Sequence, residues 1–393
     1  MKSRKNEFKR ILNLDLPVGQ SAFLWGARKT GKSTFLAAHF PHSVRYDLLK
    51  SEVHLALLRA PETLRLEVVA LPNTALRYPI IIDEVQKIPE LLDEVHWLIE
   101  NTEAYFILCG SSARKIKRMG ANLLGGRAWR YHLFPLTIRE IPHFDLIHAL
   151  NVGLIPSHYL SDKPEREIEA YVDDYLKEEI QSESAIRNLP AFTRFLDAMA
   201  YSSGELVNYQ NIARDCGIDA KTVKAYFHIL VDTLLGYFVL PFGKKGGRAT
   251  LSVTPKFYLF DVGILQFLKK TRINVLKGPD AGHAFEHLVL MELKAFFSYQ
   301  ARRSDIQFWR TATGMEVDFV LENGAVAIEV KLTQNPGSAD LKGLNRFLDD
   351  YPTSKGYVVC LVDRPRKMTV GSHTVSVLPY MTFIEQLWIG KVV

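Results

Sequence analysis

The most constraining feature of this 393-residue sequence is a glycine-rich loop between an apolar run and a helix-forming run. Residues 26–33 read GARKTGKS and fit the pattern G-x-x-x-x-G-K-[ST]; an apolar run at 21–25 precedes them and a helical run at 34–40 follows. In this setting the glycines let backbone N–H groups close around phosphates, and the N-terminus of the following helix favours anions. The loop therefore predicts a nucleotide site on a parallel α/β sheet.

Two side chains of the loop have predicted roles in this chemistry. Lys32 is expected to reach the β- and γ-phosphates, and the Ser33 hydroxyl is expected to ligate Mg²⁺. The predicted nucleotide-binding residues are Gly26, Ala27, Arg28, Lys29, Thr30, Gly31, Lys32, Ser33 and Thr34.

A second apolar run, at residues 78–84, ends in two acids. Asp83, at the carboxyl end of a parallel strand, stands where Mg²⁺ and its bound water need an anion. Glu84 is placed to polarise the water that attacks the γ-phosphate, so it is the predicted general base. Two solvated acids that cap a strand are the alternative, which the nearby phosphate loop disfavours.

A third apolar run, at residues 105–109, leads into Gly110 and two serines. We expect this strand to lie between the first two, so that Ser111 or Ser112 contacts the γ-phosphate or the attacking water. Serines that cap a helix are the alternative. Further along, Arg127 is a candidate for stabilising charge in the transition state, within its own chain or from a neighbouring subunit. A surface arginine is the alternative there.

Four segments together resemble a large prokaryotic family of AAA-type ATPases, whose ATPase core is joined to a C-terminal domain of uncertain function. They are residues 26–33, 80–84, 110–112 and 126–136. The resemblance covers nearly the whole chain and implies a P-loop, AAA-type parallel sheet. It also implies ATP rather than GTP, and the sequence has no guanine-type N-K-x-D motif after the loop.

The middle of the sequence predicts helices and then a winged helix. Residues 164–180 are amphipathic and acidic, and Leu189–Tyr201 is a second helical run. A short helix, a Cys-Gly turn, an N-cap at Asp219 and a second helix then form a helix-turn-helix pattern, followed by two strands around a basic tip. A protein-packing role is as strongly favoured as DNA contact. The candidate phosphate contacts are Lys221, Lys224, Lys244, Lys245 and Arg248.

The last third of the sequence carries a set of acids and a lysine. A helical run contains Glu286, a hairpin strand contains Asp318, and the next strand contains Glu329 and Lys331 on one face. Asp318 and Glu329 are expected to hold Mg²⁺, and Lys331 to orient or deprotonate a water that attacks a phosphodiester. Glu286 is expected to add a third carboxylate. The order resembles the PD-(D/E)xK nuclease superfamily, although Val317 stands where that family has proline. A degenerate fold that binds without cutting is the alternative.

Composition and charge exclude other classes. Hydrophobic residues make up 47% and charged residues 23%, which excludes a largely disordered chain. The sequence has no uncharged apolar run of the roughly 18–20 residues needed to span a bilayer, and no signal-peptide core. Three separated cysteines without a CxxC pair argue against a zinc or disulfide framework and favour a reducing cytoplasm. A net charge of +6 permits nucleic-acid binding without favouring it.

These observations predict an α/β chain in which an ATP- and Mg²⁺-dependent ATPase controls C-terminal modules that act on DNA. An ATP-regulated DNA endonuclease and a nucleotide-gated binding protein with a protein partner are the alternatives, and a homo-oligomer is left open. The predicted domains are an ATPase domain at 1–150, a helical connector at 151–203, a winged helix at 204–270 and a nuclease-like domain at 271–393.

Overall fold

The N-terminal part of the chain is built on a parallel β-sheet. The computed structural model describes residues 8–112, 124–176, 188–243 and 254–393. The strands of the first sheet are β1 (Ser21–Trp25), β2 (Arg45–Asp47), β3 (Ile80–Asp83), β4 (Phe106–Gly110) and β5 (Ala128–His132). Within the described ranges these five strands pair in parallel in the order β2-β3-β4-β1-β5. The α/β class and the position of β4 between β3 and β1 are as predicted.

Helices cover both faces of this sheet, which explains why β1 and β4 are apolar and buried throughout. Alternate side chains of β1 enter different cores, because successive residues of a strand point to opposite faces. Phe23 packs on one side with Leu98, whereas Leu24 packs on the other with Phe35. The covering helices are Lys32–His39, Ser51–Arg59, Glu62–Val69 and Leu91–Asn101.

The middle segment consists mainly of helices and ends in a strand hairpin. The acidic run at 164–180 is helical as far as residue 176, the last part as a π-helix, and residues 177–180 lie outside the described ranges. Asp219 caps its helix as predicted, because its carboxylate accepts from the Thr222 backbone N–H at 2.9 Å. The helices are Leu146–Val152, Pro156–Tyr159, Pro164–Ala170, Tyr171–Leu176 (π), Leu189–Tyr201, Tyr209–Cys216, Ala220–Asp232 and Val262–Lys269.

The hairpin strands β6 (Gly236–Pro241) and β7 (Lys256–Leu259) pair with each other in antiparallel fashion. The predicted basic tip between them, with Lys244, Lys245 and Arg248, lies outside the described residues. Strand β6 also pairs with the first strand of the C-terminal segment. One sheet therefore continues across the boundary predicted between residues 270 and 271.

The C-terminal segment completes this second sheet. Its strands are β8 (Gln307–Arg310), β9 (Glu316–Leu321), β10 (Val326–Lys331), β11 (Lys355–Cys360), β12 (Arg366–Val370) and β13 (His373–Pro379). In the part of the chain that the structure describes, eight strands pair in the order β12-β13-β11-β10-β9-β8-β6-β7. The helices of this segment are Pro279–Tyr299, Lys342–Asp350 and Tyr380–Trp388. The winged-helix and nuclease-like assignments stay predictions.

The long helix Pro279–Tyr299 connects the two sheets. Its residue Glu292 is buried and accepts from the Ile138 backbone N–H at 2.5 Å, just beyond the first sheet. Burial raises the pKa of Glu292 to about 7. None of the helices in the described ranges combines the length and the apolar composition needed to cross a bilayer.

Candidate functional site

The phosphate loop closes around its own lysine. Lys32 is buried, and its Nζ donates to the carbonyl oxygens of Gly26 at 2.8 Å and Ala27 at 3.2 Å. Gly31 has φ +93°, a left-handed conformation that glycine adopts without strain. A Cβ at Gly26 would collide with the carbonyl oxygen of Leu133. Both glycines of the motif are therefore required by the shape of the loop.

The two predicted Mg²⁺ ligands of the first sheet lie in direct contact. Ser33 Oγ donates to Asp83 Oδ2 at 2.5 Å, and Asp83 Oδ1 accepts from the Glu84 backbone N–H at 3.1 Å. Ser33 is exposed and Asp83 is half-buried, so both can be reached from solvent. A hydroxyl and a carboxylate oxygen are ligands that suit Mg²⁺, which binds hard oxygen donors. The donor set fits the predicted metal.

Glu84 and Ser111 are joined by a residue that the sequence analysis missed. Gln86 Nε2 donates to Glu84 Oε2 at 2.5 Å and lies 3.0 Å from Ser111 Oγ. Ser112 Oγ instead donates to the carbonyl oxygen of Asp232 at 3.4 Å, so it faces the middle segment. Of the two predicted serines, Ser111 is the one beside Glu84. The available signal was a glutamine that follows the Asp-Glu pair by two residues, directly after the apolar residue Val85.

Arg127 lies at the amino-terminal ends of the strands of the first sheet, whereas the phosphate loop lies at their carboxyl-terminal ends. Ala128 pairs with Ser21 at the start of β1, whereas the loop follows the end of that strand. The five residues of β1 separate these two ends of the sheet, a distance of about 17 Å. The Arg127 guanidinium is also ion-paired with exposed Glu100. Of the two predicted roles, this placement argues against the one at the phosphates of its own chain.

The connector helices contact two basic residues of the phosphate loop. Lys29 Nζ lies 3.1 Å from Glu167 Oε2, and the Arg28 guanidinium stacks on the Tyr175 ring at 4.8 Å. Nearby, His158 is fully buried, and neither of its ring nitrogens has a hydrogen-bond partner among the described residues. Burial and the charge of Lys29 lower the pKa of His158 to about 4, so this ring is neutral at pH 7.

Arg10 ties the loop to the long helix of the C-terminal segment. Its Nη1 donates to the Thr30 carbonyl oxygen at 2.7 Å, and its Nε donates to Glu140 Oε1 at 3.0 Å. Its Nη2 lies 3.3 Å from the Tyr299 hydroxyl, at the end of the long helix. The phosphate loop is thus hydrogen-bonded through one side chain to the part of the chain that carries the second predicted site.

A cavity of about 530 Å³ opens beside the phosphate loop. It is bounded by the loop and its helix, by the segment that precedes β1 and by the connector. A volume of this size is typical of sites that hold a small-molecule ligand. Its lining includes Phe8, Lys9, Gly31, Thr34, Phe35 and Pro156.

The second predicted site lies in an acidic cluster, here defined as Glu286, Glu316, Asp318 and Glu329. Asp318 and Glu329 are buried, Glu286 and Glu316 are half-buried, and Glu316 was not among the predicted residues. Asp318 is 7% exposed and accepts from the Val330 backbone N–H at 2.7 Å. Glu329 is 4% exposed, and its Oε1 lies 2.6 Å from Lys331 Nζ. The structure therefore brings Asp318, Glu329 and Lys331 together, as β9 and β10 are paired.

Two carboxyl groups of the cluster, Asp318 and Glu329, have raised pKa values. Burial raises the pKa of Asp318 to about 7, and the Glu286 carboxylate contributes to that rise. Burial and the Asp318 charge raise the pKa of Glu329 well above its usual range. Burial alone would lower the pKa of Lys331, but the neighbouring carboxylates outweigh it and the pKa is raised. Lys331 therefore stays charged, whereas Asp318 and Glu329 hold their protons to higher pH than free carboxyl groups.

A buried lysine from the middle segment enters this cluster, and the sequence analysis missed it. Lys256, on β7, is 3% exposed; its Nζ lies 3.6 Å from Glu286 Oε1 and is ion-paired with Glu316. The Tyr258 hydroxyl donates to Glu286 Oε1 at 2.5 Å. The available signal was a lysine in the otherwise apolar strand Lys-Phe-Tyr-Leu.

Glu286, the expected third carboxylate, has partners within the protein, because Lys256 and the Tyr258 hydroxyl both contact it. Searched over the described ranges, the structure contains no group of three or more His, Cys, Asp or Glu side chains arranged to hold a metal ion. The expectation that Asp318 and Glu329 hold Mg²⁺ with Glu286 as a third carboxylate stays a prediction.

The comparison with known families identifies the domain that contains the first sheet. Residues 19–142 match an AAA domain. Residues 143–274 match a domain of unknown function (DUF8612), and residues 281–383 match a second one (DUF4143). A Haemophilus influenzae protein described as uncharacterized is 21% identical over 301 residues, which cover 68% of this chain and 72% of that protein.

The chain thus carries an AAA domain, P-loop ATPase-like, at its N-terminus and the DUF4143 domain towards its C-terminus. The phosphate loop, Asp83, Glu84 and Ser111 all lie in the AAA domain. The acidic cluster lies in the DUF4143 domain, whereas Lys256 comes from the DUF8612 segment. The second site is therefore assembled across two of the matched segments.

Proposed function

We propose that the chain is a Mg²⁺-dependent ATPase. The observation that carries this proposal is the 2.5 Å contact between Ser33 Oγ and Asp83 Oδ2, beside the buried Lys32 of the phosphate loop. Ser33 and Asp83 would hold Mg²⁺, which neutralises charge on the phosphates when it is bound. Lys32 would turn from the loop carbonyls to the β- and γ-phosphates. Glu84 would accept a proton from the attacking water.

The 530 Å³ cavity supports a bound nucleoside next to these phosphates. Gly31 and Thr34 belong to both the loop and the cavity wall, so a nucleotide with its phosphates in the loop would extend its base into the cavity. Apolar side chains such as Phe8 and Phe35 suit the faces of a purine ring. The connector residue Pro156 would close the same space from the opposite side.

Steady-state ATP hydrolysis tests this proposal. Wild type is expected to release phosphate in a Mg²⁺-dependent reaction, whereas Lys32→Ala is expected to fall to background and Glu84→Gln to fall by about 100-fold or more, to a rate that is still measurable. The exposed residues Lys50 and Glu52 provide matched controls, since Lys50→Ala and Glu52→Gln make the same changes outside the site. Equal rates in wild type and in the two site variants would refute the ATPase proposal.

We further propose that the nucleotide state controls a DNA-binding surface in the middle segment. A groove of about 710 Å³ lies where the helices Tyr209–Cys216 and Ala220–Asp232 begin. Lys221 and Lys224 line it, are exposed, and have no ion-pair partner among the described residues. Free cations in a groove suit the phosphates of a DNA backbone.

Salt-dependent DNA retention tests this surface. Fluorescence anisotropy with labelled duplex DNA is expected to show binding that weakens as salt rises and that is reduced in Lys221→Ala combined with Lys224→Ala. Lys277→Ala is a control for an exposed lysine elsewhere. An absence of retention at low salt would instead support a protein partner, the alternative that the sequence leaves open.

For the acidic cluster we propose binding or structural support rather than DNA cleavage. Lys256 pairs with Glu286 and Glu316, and the Tyr258 hydroxyl donates to Glu286, so two of the four carboxylates are already neutralised by groups of the protein itself. Supercoiled DNA with Mg²⁺ or Mn²⁺ is expected to stay intact, with and without ATP. Nicking by wild type that is lost in Asp318→Ala would refute this proposal and support the endonuclease. Equal nicking by both would indicate a contaminating nuclease.

A further inference from the structure

We propose that Gln86 is a positioning residue for ATP hydrolysis, which holds the Glu84 carboxylate and the Ser111 hydroxyl in one hydrogen-bonded unit. This inference rests on the proposed ATPase function. The unit joins the ends of two neighbouring strands, since Glu84 follows β3 and Ser111 follows β4. It therefore spans the edge of the sheet beside the phosphate loop.

The position of the Gln86 side chain is fixed from several directions. Gln86 lies in a single turn, Val85–Lys87, between Val85 and Ile88, which are both fully buried. Its own side chain is 5% exposed. Gly110 leaves the necessary space, because a Cβ there would collide with Gln86 Oε1. The amide thus has a prepared slot rather than a free surface.

The chemistry of an amide fits this place better than that of other side chains. The –NH₂ group has two hydrogens, so Nε2 can donate to Glu84 Oε2 and to Ser111 Oγ at the same time. Only a donor can face a carboxylate at 2.5 Å, which fixes the orientation of the amide. Because the amide is neutral, it orients Glu84 without competing with it as a base.

The arrangement also leaves Glu84 able to react. Glu84 Oε2 accepts from Gln86, whereas Oε1 has no hydrogen-bond partner among the described residues, and Glu84 as a whole is half-buried. The backbone of Glu84 is left-handed, with φ 59° and ψ 42°, a strained conformation for a residue with a side chain. Gln86 Oε1 is buried without a hydrogen-bond partner in the described ranges. Of the two ends of the amide, the donor end is therefore the one that the described contacts use.

Steady-state hydrolysis and ATP binding by the full chain test the inference, with Gln86→Leu as the main variant. Leucine keeps the volume and removes the donor. We expect kcat to fall about 10- to 100-fold, while the Kd for ATP stays within twofold of wild type, since the Gln86 amide donates to Glu84 and Ser111 and not to the phosphate loop. Should the leucine variant not fold, Gln86→Glu keeps the shape and replaces the donor by an acceptor, and the same loss of kcat is expected.

A double-mutant cycle distinguishes positioning from a merely structural role. In the Glu84→Gln background, Gln86→Leu should cause no further loss of kcat, because the residue acts through Glu84. A folded Gln86→Leu with wild-type kcat, or an equal further loss in the Glu84→Gln background, would overturn the inference while leaving the ATPase proposal intact. Wild-type hydrolysis no faster than that of Lys32→Ala would overturn both.

Discussion

The carboxyl edge of the AAA sheet and the acidic cluster of the second sheet both place carboxylates beside a lysine, yet they differ in solvent access. At the first, Ser33 is exposed and Asp83 is half-buried. At the second, Asp318 and Glu329 are nearly inaccessible. A site that takes up a charged ligand must let that ligand replace water, whereas buried carboxylates must be neutralised by groups of the protein itself. Lys256 is such a group.

The largest expected effect is on ATP hydrolysis at the solvent-accessible site, which is formed by the phosphate loop, Asp83 and Glu84. Glu84→Gln removes the proposed base and keeps the size of the side chain, so kcat should fall by about 100-fold or more while ATP still binds. Phosphate release together with binding of a fluorescent ATP analogue measures both quantities. If this variant hydrolysed ATP as fast as Glu52→Gln, Glu84 would not be the base for ATP hydrolysis.

The next largest effect is on the stability of the acidic cluster. Lys256→Met removes the cation that is paired with Glu286 and Glu316, and the free energy of unfolding should fall by about 3 kcal/mol because the carboxylates are left buried without it. Urea denaturation measures the loss, and Lys277→Met is the exposed control. An equally small effect of both variants would mean that the cluster does not depend on its internal lysine.

A smaller effect is a pH dependence carried by Asp318. Its pKa is raised to about 7 in the folded chain, whereas an unfolded aspartate titrates near 4. The folded state therefore binds the proton more tightly, and its contribution to stability is lost as pH rises from about 4 to 7. Compared with wild type, Asp318→Asn should reduce this loss by about 2.5 kcal/mol between pH 5 and pH 8. Parallel pH profiles of the two proteins in urea denaturation would contradict the expectation.

The smallest effect is expected at Arg127. Its ion pair with Glu100 is exposed, so Arg127→Ala should change the free energy of unfolding by less than about 0.5 kcal/mol. If Arg127→Ala nevertheless hydrolyses ATP more slowly, and mixing it with Lys32→Ala restores hydrolysis, then Arg127 acts on a neighbouring subunit. That is one of the two roles that the sequence predicts for it. A loss of hydrolysis that mixing does not restore would argue against that role.

Local patterns predicted the first sheet well. The phosphate loop needs a strand before it and a helix after it, and parallel strands bring their carboxyl ends to one edge, so the approach of Ser33 to Asp83 follows from sequence order. The helix Leu189–Tyr201 has the predicted bounds for a similar reason, because its apolar spacing is local. The π-helical turn at Tyr171–Leu176 is not visible in that spacing.

Contacts between distant parts of the chain were not predictable. Lys256 enters the acidic cluster because β6 pairs with β8, a pairing that no local pattern indicates. Arg127 lies far from the phosphate loop because the first residue of β5 pairs with the first residue of β1. This strand register is not visible in the local sequence. Gln86 was missed because its role depends on the space that Gly110 leaves on the next strand.

Binding of Mn²⁺, used as a paramagnetic substitute for Mg²⁺, tests the difference between the two sites most directly. We expect that the full chain binds one Mn²⁺ only when ATP is present, that Asp83→Asn abolishes this binding, and that Asp318→Asn leaves it unchanged. Binding of Mn²⁺ without ATP that is lost in Asp318→Asn would contradict this expectation, because the buried acidic cluster would then be the metal site.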